Sequence, residues 1–318
     1  MLDVRRLRIL QHLAAYGTVA ATAEALHLTP PAVSQHLAAL QKEAGTPVVE
    51  KQGRTLRLTA AGELLVAHAE IILAELAAAE SGLAALESGR HGVVRITAFA
   101  SAARTLVAPL WQRLAGTDGA PDLSLRLSVE EPEEALDALR KRSTDLALVH
   151  SYTVLPRNFP AVYEHTVLLE EPVLLALHPQ QVDALHLAAG QAADLSRLSH
   201  VPWLTPGPET SCYEMVQRAC GAAGFVPDIR ARSSDFSALT ALAAAGAGAA
   251  LIPRMALPDT TAPLSLHPLV QPVSRTVFAV SRAGTGNHPD LRRVRQLLHD
   301  SANSRDDGDG WRDPLRGY

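Results

Sequence analysis

Apolar residues at Val4, Leu7, Ile9, Leu10 and Leu13 recur at helical spacing and predict a helix over 4–15. Tyr16-Gly17 ends it, because glycine takes the positive φ of a helix end cheaply. Thr18 is placed to cap a second, alanine-rich helix carrying Thr22, Ala23, Ala25 and Leu26. The short connection His27-Leu28-Thr29 leads to Pro30-Pro31, with Thr29 as N-cap and Pro30 at the favoured first helical position. This third helix runs to about Ala44, turns Val33, Leu37 and Leu40 inward and stops at Gly45. Val48-Val49 and the alternating Leu56 and Leu58 then predict two short strands around a turn at Gln52-Gly53. Helix, helix, turn, helix, hairpin is the order of a winged helix-turn-helix over residues 1–60.

From Ala60 to Ser88 no proline interrupts a long helix. Its apolar positions Leu65, Ala69, Ile72, Leu76, Ala79, Leu83 and Leu86 alternate spacings of four and three, a heptad seam that asks for a partner helix. The bland alternative is a helix packed on its own domain; the acidic face of Glu63, Glu70, Glu80 and Glu87 favours a solvated back and self-association through the seam. Residues 61–90 are thus expected as a linker and dimerisation helix, with a hinge-like break at Ser88–Gly92.

After Val93 the pattern changes. Strands are expected at 93–99, in LSLRLSV, in DLALVHS, at VLLALH, at 201–204, in ALIP and in TVFAVS, and helices at 101–114, 132–142, 211–223 and 235–246. This alternation implies an α/β architecture with mainly parallel sheets. Two such units fit residues 91–300: a first lobe from about 91–152 and 269–300, and a second from about 153–268. The polar, Gly/Asp-rich tail 301–318 is expected to be disordered.

Composition narrows the function. With 47% hydrophobic and 19% charged residues in 318, the chain has ample material for cores. No apolar run reaches the roughly 20 residues of a membrane span, and the N-terminus lacks the apolar core of a signal peptide, so a cytoplasmic protein with no membrane partner is expected. The net charge is −4, but residues 1–60 carry seven Arg/Lys against four acids, +3, and residues 61–90 carry −4. Basic charge therefore concentrates at the front. There is no GxSxG, no GxxxxGK[ST], no HExxH and no GxGxxG after a strand, and the thirteen histidines lack metal-ligand spacing. An enzyme is not expected, nor a metal or cofactor.

The segment ATAEALHLTPPAVSQHLAALQKEAGTPVVEKQGRTLRLTAAGELL resembles the DNA-binding module of LysR-type transcriptional regulators. The long helix, the DLALV strand and the CGAAGFVP and AGAGAALIPR segments are similar to that family's effector domain. Pro30 stands where the family usually has a polar residue, Val48-Val49 where it has Leu-Phe, and Lys51 where it has Arg; these departures bear on the operator sequence, not the fold. The resemblance implies a homodimer or homotetramer, periplasmic-binding-protein-like lobes, and regulation of transcription by a small molecule held between them. A recognition helix offers its N-terminal residues to base edges in the major groove of duplex DNA. Here those are Thr29, Pro31, Ala32, Ser34, Gln35 and His36. Gln35 suits adenine, and Pro31 or Ala32 a thymine methyl. Arg5, Lys42, Lys51 and Arg54, with Thr59 at the end of the wing, are candidates for phosphate; each taken singly is as readily a solvated surface group.

Ligands of open α/β sheets bind beyond the carboxyl ends of strands, often at helix starts. Ser101 and Ala102 follow one strand; Thr205, Thr210 and Ser211 follow another. His150, Asp235 and Phe236 are candidates for the same space. A carboxylate effector is the family-like expectation, while Glu130 and Glu131 at a strand end leave an amino acid open. Ser101, Ser211 and Asp235 also serve simply as N-caps. Cys212 and Cys220, eight residues apart, would lie about 12 Å apart along a helix, too far for a disulfide without unfolding, which disfavours redox sensing. The remaining alternatives are a solute-binding module whose N-terminal helices only dimerise it and, from a different class, a small-molecule enzyme with an accessory helical domain.

Overall fold

The computed structural model describes residues 1–52, 55–88, 92–115, 123–188, 190–258 and 263–308. The front module has α1 (Val4–Tyr16), α2 (Val19–Ala25), α3 (Pro30–Ala44), β1 (Val49–Gln52) and β2 (Thr55–Leu58). Its helix ends follow the sequence signals. Thr18 accepts from the Ala21 amide and Thr29 from the Ala32 amide, while Gly17, at φ 75°, lets its N–H close onto the Leu13 carbonyl. Leu7, Leu10 and Leu13 of α1 and Val33, Leu37 and Leu40 of α3 form one core with Ala23 and Val48. The Gln41 side-chain oxygen accepts from the Val48 and Val49 amides and ties α3 to the wing.

The long helix α4 (Ala60–Ser88) starts against this module. At Gly62 a methyl group would collide with the Val48 carbonyl, so the helix meets the wing at backbone distance. Val66 and Ala69 are buried in the module core and Leu65 packs on it. This corrects the expected seam: the helix reaches α1 with Leu65 and Ala69, because its first turns close a module too small to bury its own apolar face. Further along, Ile72 and Leu76, each 40% exposed, and Ala79 remain at the surface, while the Leu83 side chain lies outside the described residues.

The rest of the chain forms two lobes. In the first, β3 (Val93–Ala98) lies parallel to β4 (Ser124–Val129) and β5 (Leu146–Tyr152), and β11 (Ser274–Arg282) is antiparallel to β5. A helical segment covers this sheet as α5 (Ala100–Ala102), a π-helical turn Ala103–Val107 and α6 (Ala108–Ala115). α7 (Pro132–Arg140) links β4 to β5, and α11 (Pro289–Gly308) packs into the same core through Leu291, Val294, Leu298 and Ala302. β6 (Tyr163–Leu177) is longer than the apolar stretch VLLALH. Its first part pairs with β11 in the first lobe, and Val173–Ala176 pairs with β9 (Ala250–Pro253) in the second. Residues 163–171 therefore stand in the first lobe and not in the second, where the span 153–268 had put them. The second lobe adds α8 (Pro179–Leu185), β7 (Trp203–Thr205), α9 (Ser211–Ala222), β8 (Ile229–Arg232), α10 (Phe236–Ala244) and β10 (Ser265–His267). The sheets are mixed rather than mainly parallel, since β6 runs antiparallel to β9, β10 and β11. The expected disordered tail is also corrected: α11 continues to Gly308, with Ser301 and Ala302 buried, and only 309–318 fall outside the described residues. The hinge expected at 88–92 falls largely on residues 89–91, likewise outside them.

The module and the first lobe touch. Tyr16 Oη donates to the Lys141 carbonyl at 3.4 Å, and Gly284 lies against Ile71 of α4. Burial, with Arg142 and Arg8 nearby, pushes the His12 imidazole down from 6.5 to about 4. The folded chain then keeps His12 neutral where the unfolded chain takes up a proton. Stability is thus expected to fall as pH drops from 6.5 to 4 and to stop falling on this account below that. Melting curves of His12→Asn across the window should show a shallower decline than the parent.

Candidate nucleic-acid interface and effector cleft

One face of α3 is spent on the core and the other is open. Val33, Leu37 and Leu40 are buried, whereas Pro31, Ser34 and Gln35 are exposed and Ala32 and His36 half-buried. The Gln35 side chain has no intramolecular hydrogen bond among the described residues, so its amide is available for bidentate pairing. Three hydroxyls are already engaged. Thr29 caps α3, Ser34 Oγ donates to the Pro30 carbonyl at 3.1 Å, and Thr59 donates to the Pro47 carbonyl at 2.7 Å while accepting from the Gly62 amide. Thr59 is thereby a structural clasp between wing and α4. Arg5, Lys42 and Lys51 are exposed and form no ion pair among the described residues; Arg54 lies outside them. Arg6, by contrast, is tied to Glu43 and holds α1 to α3. Its neighbours in sequence gave no sign of that pairing, which joins residues 37 apart.

Between the lobes the structure brings together the carboxyl end of β5 and the start of α9. A cleft of about 450 Å³ is lined by His150, Ser151 and Tyr152 on one side and Glu209, Thr210, Ser211 and Glu214 on the other, with Glu133 and Arg157 at its edge. His150 is buried and its Nε2 sits 3.0 Å from Ser211 Oγ, a hydrogen bond across the lobes. Burial drives the His150 pKa well below its usual value, so the ring is neutral. Thr210 caps α9 by accepting from the Tyr213 amide and donates to the Gly207 carbonyl at 2.8 Å.

Not every expected residue reaches this cleft. Ser101 is buried beside it, its Oγ accepting from Arg275 Nη2 at 3.3 Å. Ala102 lies in the core of the first lobe. Thr205 is fully buried with its hydroxyl unpaired. Glu130 is exposed, and Asp235 is the exposed N-cap of α10; neither lines the cleft, nor does Phe236, which packs into the second lobe. Missing from the sequence reading was Arg275. It is 1% exposed, donates to Glu171 at 2.7 Å, and stacks over Phe99 with its guanidinium carbon 5.1 Å from the ring centroid. Glu171 in turn accepts from the Met255 amide at 2.5 Å. The only available signal was a charge inside each of two apolar strand sequences.

The model for the LysR substrate binding domain matches residues 87–303, and that for the bacterial regulatory helix-turn-helix protein, lysR family, matches residues 4–63. The chain belongs to the LysR family of transcriptional regulators. It is a DNA-binding regulator with an effector-binding domain, not an enzyme. It is 31% identical to the HTH-type transcriptional regulator AbaB of Streptomyces antibioticus, over 95% of this chain and 99% of that one. Full-length LysG from Corynebacterium glutamicum with bound effector Arg has the same fold, at a TM-score of 0.62 and 21% identity over 95% of this chain and 99% of that one. So does full-length CbnR complexed with its target DNA, at 0.52 and 22% over 94% and 100%.

Cys212 and Cys220 both lie on α9 and are buried; burial pushes their thiols up to about 11 and about 12, so thiolate is scarce at neutral pH and redox sensing finds no support. Among the described residues no helix is long and apolar enough to cross a membrane.

Proposed function

We propose that this regulator reads its operator with the exposed face of α3 and answers an amine-bearing effector, such as an amino acid, in the cleft between the lobes. It works as a homo-oligomer joined through the outer part of α4, in the cytoplasm. The observation that carries the DNA reading is the division of α3, with Val33, Leu37 and Leu40 buried and Pro31, Ser34 and Gln35 turned out. Gln35 reads a base, Pro31 and Ala32 offer methyl contact, and Arg5, Lys42 and Lys51 hold phosphates. The test is retention of the fragment upstream of its own gene. Gln35→Ala is expected to cost about 1–3 kcal/mol on that fragment and to relax the choice at one base pair. Lys42→Ala should weaken specific and non-specific DNA alike and flatten the salt dependence by about one unit of slope. A protein that shifts no such fragment at low salt would overturn the reading.

The effector class rests on charge. Of the cleft's carboxylates, Glu133 pairs with Arg157 at 2.7 Å and Glu214 with Arg218 at 2.6 Å, which leaves Glu209 without an ion pair among the described residues. Burial pushes the nearby Glu131 carboxyl up, with Glu134 and Glu209 adding repulsion. A simple dicarboxylate meets repulsion there, whereas an ammonium group meets acceptors and an accompanying carboxylate meets the start of α9. Amino acids and diamines are expected to raise the melting temperature, and dicarboxylates to leave it unchanged. Glu209→Gln should weaken the response to the amines.

A further inference from the structure

A second cavity, of about 390 Å³, lies at the opposite end of the first-lobe sheet from the effector cleft. The cleft opens at the carboxyl end of β5; this cavity opens at the amino ends of β3 and β5, roofed by Leu73 of α4. Its lining charge is lopsided. Arg95, Arg126, Arg142 and Arg282 face it against one carboxylate, Asp145. That carboxylate is already taken by Arg95, which grips it twice, Nε to Oδ2 at 3.0 Å and Nη2 to Oδ1 at 2.7 Å.

The other arginines differ in the capacity they have left. Arg282 is 7% exposed and largely spoken for: its Nη1 donates to the carbonyls of Leu139 and Thr144 and its Nη2 lies 3.6 Å from Asp145, while its buried Nε has no partner. Arg126 and Arg142 form no ion pair among the described residues. Arg142 also sits where its backbone is uncomfortable. It follows the last turn of α7 at φ 61°, a left-handed position that glycine fills at no steric cost. Burial lowers its pKa to about 10, with repulsion from Arg282 added and attraction to Glu70 opposing. Two further acids stand near the lining: Glu70 has its Oε1 on Gln11 and its Oε2 buried without a partner, and Asp290 accepts from the Gly92 amide. Leu73, Val93, Val94 and Leu291 supply an apolar wall.

We propose that this cavity is a second ligand site, specific for an organic anion with an apolar body. The carboxylate or phosphate head is held by Arg142 and Arg126, with the charge of Arg282 behind them, and the body lies on Leu73, Val93, Val94 and Leu291. Guanidinium groups suit such heads because their N–H groups match oxyanion geometry. The volume falls in the range of small-molecule sites. Because Leu73 belongs to α4 and the remainder to the first lobe, an occupant touches both the linker helix and the effector domain.

The test uses the full chain and 2-naphthoate, whose fluorescence reports its surroundings, with the neutral amide naphthalene-2-carboxamide as control. Saturable naphthoate binding below about 1 mM is expected, with the amide weaker by about tenfold or more. Arg142→Gly and Arg126→Ser should each weaken naphthoate by about tenfold, while Ser211→Ala in the effector cleft leaves it unchanged. Arg142→Gly should melt no lower than the parent, since glycine relieves the left-handed backbone, so its loss of binding is not a loss of fold. Arg126 lies exposed on β4 and provides a second variant that folding does not depend on. Absence of saturable binding, equal binding of the amide, or loss in Ser211→Ala with retention in both arginine variants would each overturn the proposal.

Discussion

Arg275→Met is expected to lower the unfolding free energy by about 3–5 kcal/mol, because it leaves the Glu171 carboxylate buried without its counter-charge. In a domain of this size that is roughly a 10 °C fall in melting temperature. The geometry sets the size of the effect. Arg275 is 1% exposed and Glu171 7%, the pair spans β11 and β6, and the guanidinium also lies over Phe99 and donates to Ser101. Glu171 itself is needed by the Met255 amide. The double variant Arg275→Met/Glu171→Gln keeps an acceptor for that amide and removes both charges, so it should regain most of the loss. Urea unfolding of the parent, the single variants and the double variant measures the coupling. A single variant within about 1 kcal/mol of the parent would show that water reaches Glu171 and that the pair contributes little.

Ile72→Glu/Leu76→Glu is expected to give monomers by sedimentation and to weaken operator binding by about 10²-fold or more, as the second half-site loses its tether. Both residues are 40% exposed on α4, just past the turns that close the DNA-binding module. Leu65 and Ala69 belong to that closure, so substitutions there should unfold the module as well as dissociate the oligomer. Melting curves distinguish the two: the Ile72/Leu76 variant keeps the parent's transition for the module, and an Ala69→Glu variant lowers it. Parent-sized particles after Ile72→Glu/Leu76→Glu would place the interface elsewhere.

What the sequence made legible was local. Thr18, Thr29, Gly17 and Gly45 announce helix ends through short-range hydrogen bonds and backbone conformation, and the structure has α1, α2 and α3 between them. The inward triad of α3 follows from its period. Pairing at a distance was not legible. That Ala69 serves the module and not a partner helix depends on how α4 crosses α1, a tertiary fact with no trace in a heptad count. The length of β6 was hidden because its first part, YEHTVLLEE, carries Glu164 and Glu170 at exposed positions and Glu171 at a buried one, and does not look like a sheet strand. β8 and β10 are too short, at four and three residues, to show a period. In the cleft, strand ends and helix starts could be placed, so His150, Thr210 and Ser211 were found; Arg275 was not, since its partner Glu171 is 104 residues away.

One strand, β6, belongs to both lobes, and where it passes from one to the other the Val173 amide donates to the Val273 carbonyl on the returning chain at 2.8 Å. The two halves of the effector domain are therefore joined by a paired ribbon and not by a loose string. Such a ribbon bends and twists far more easily than it stretches or slips register, so a ligand that draws the halves together is met with rotation about a single narrow axis. A pull on one half then reaches the other as torque.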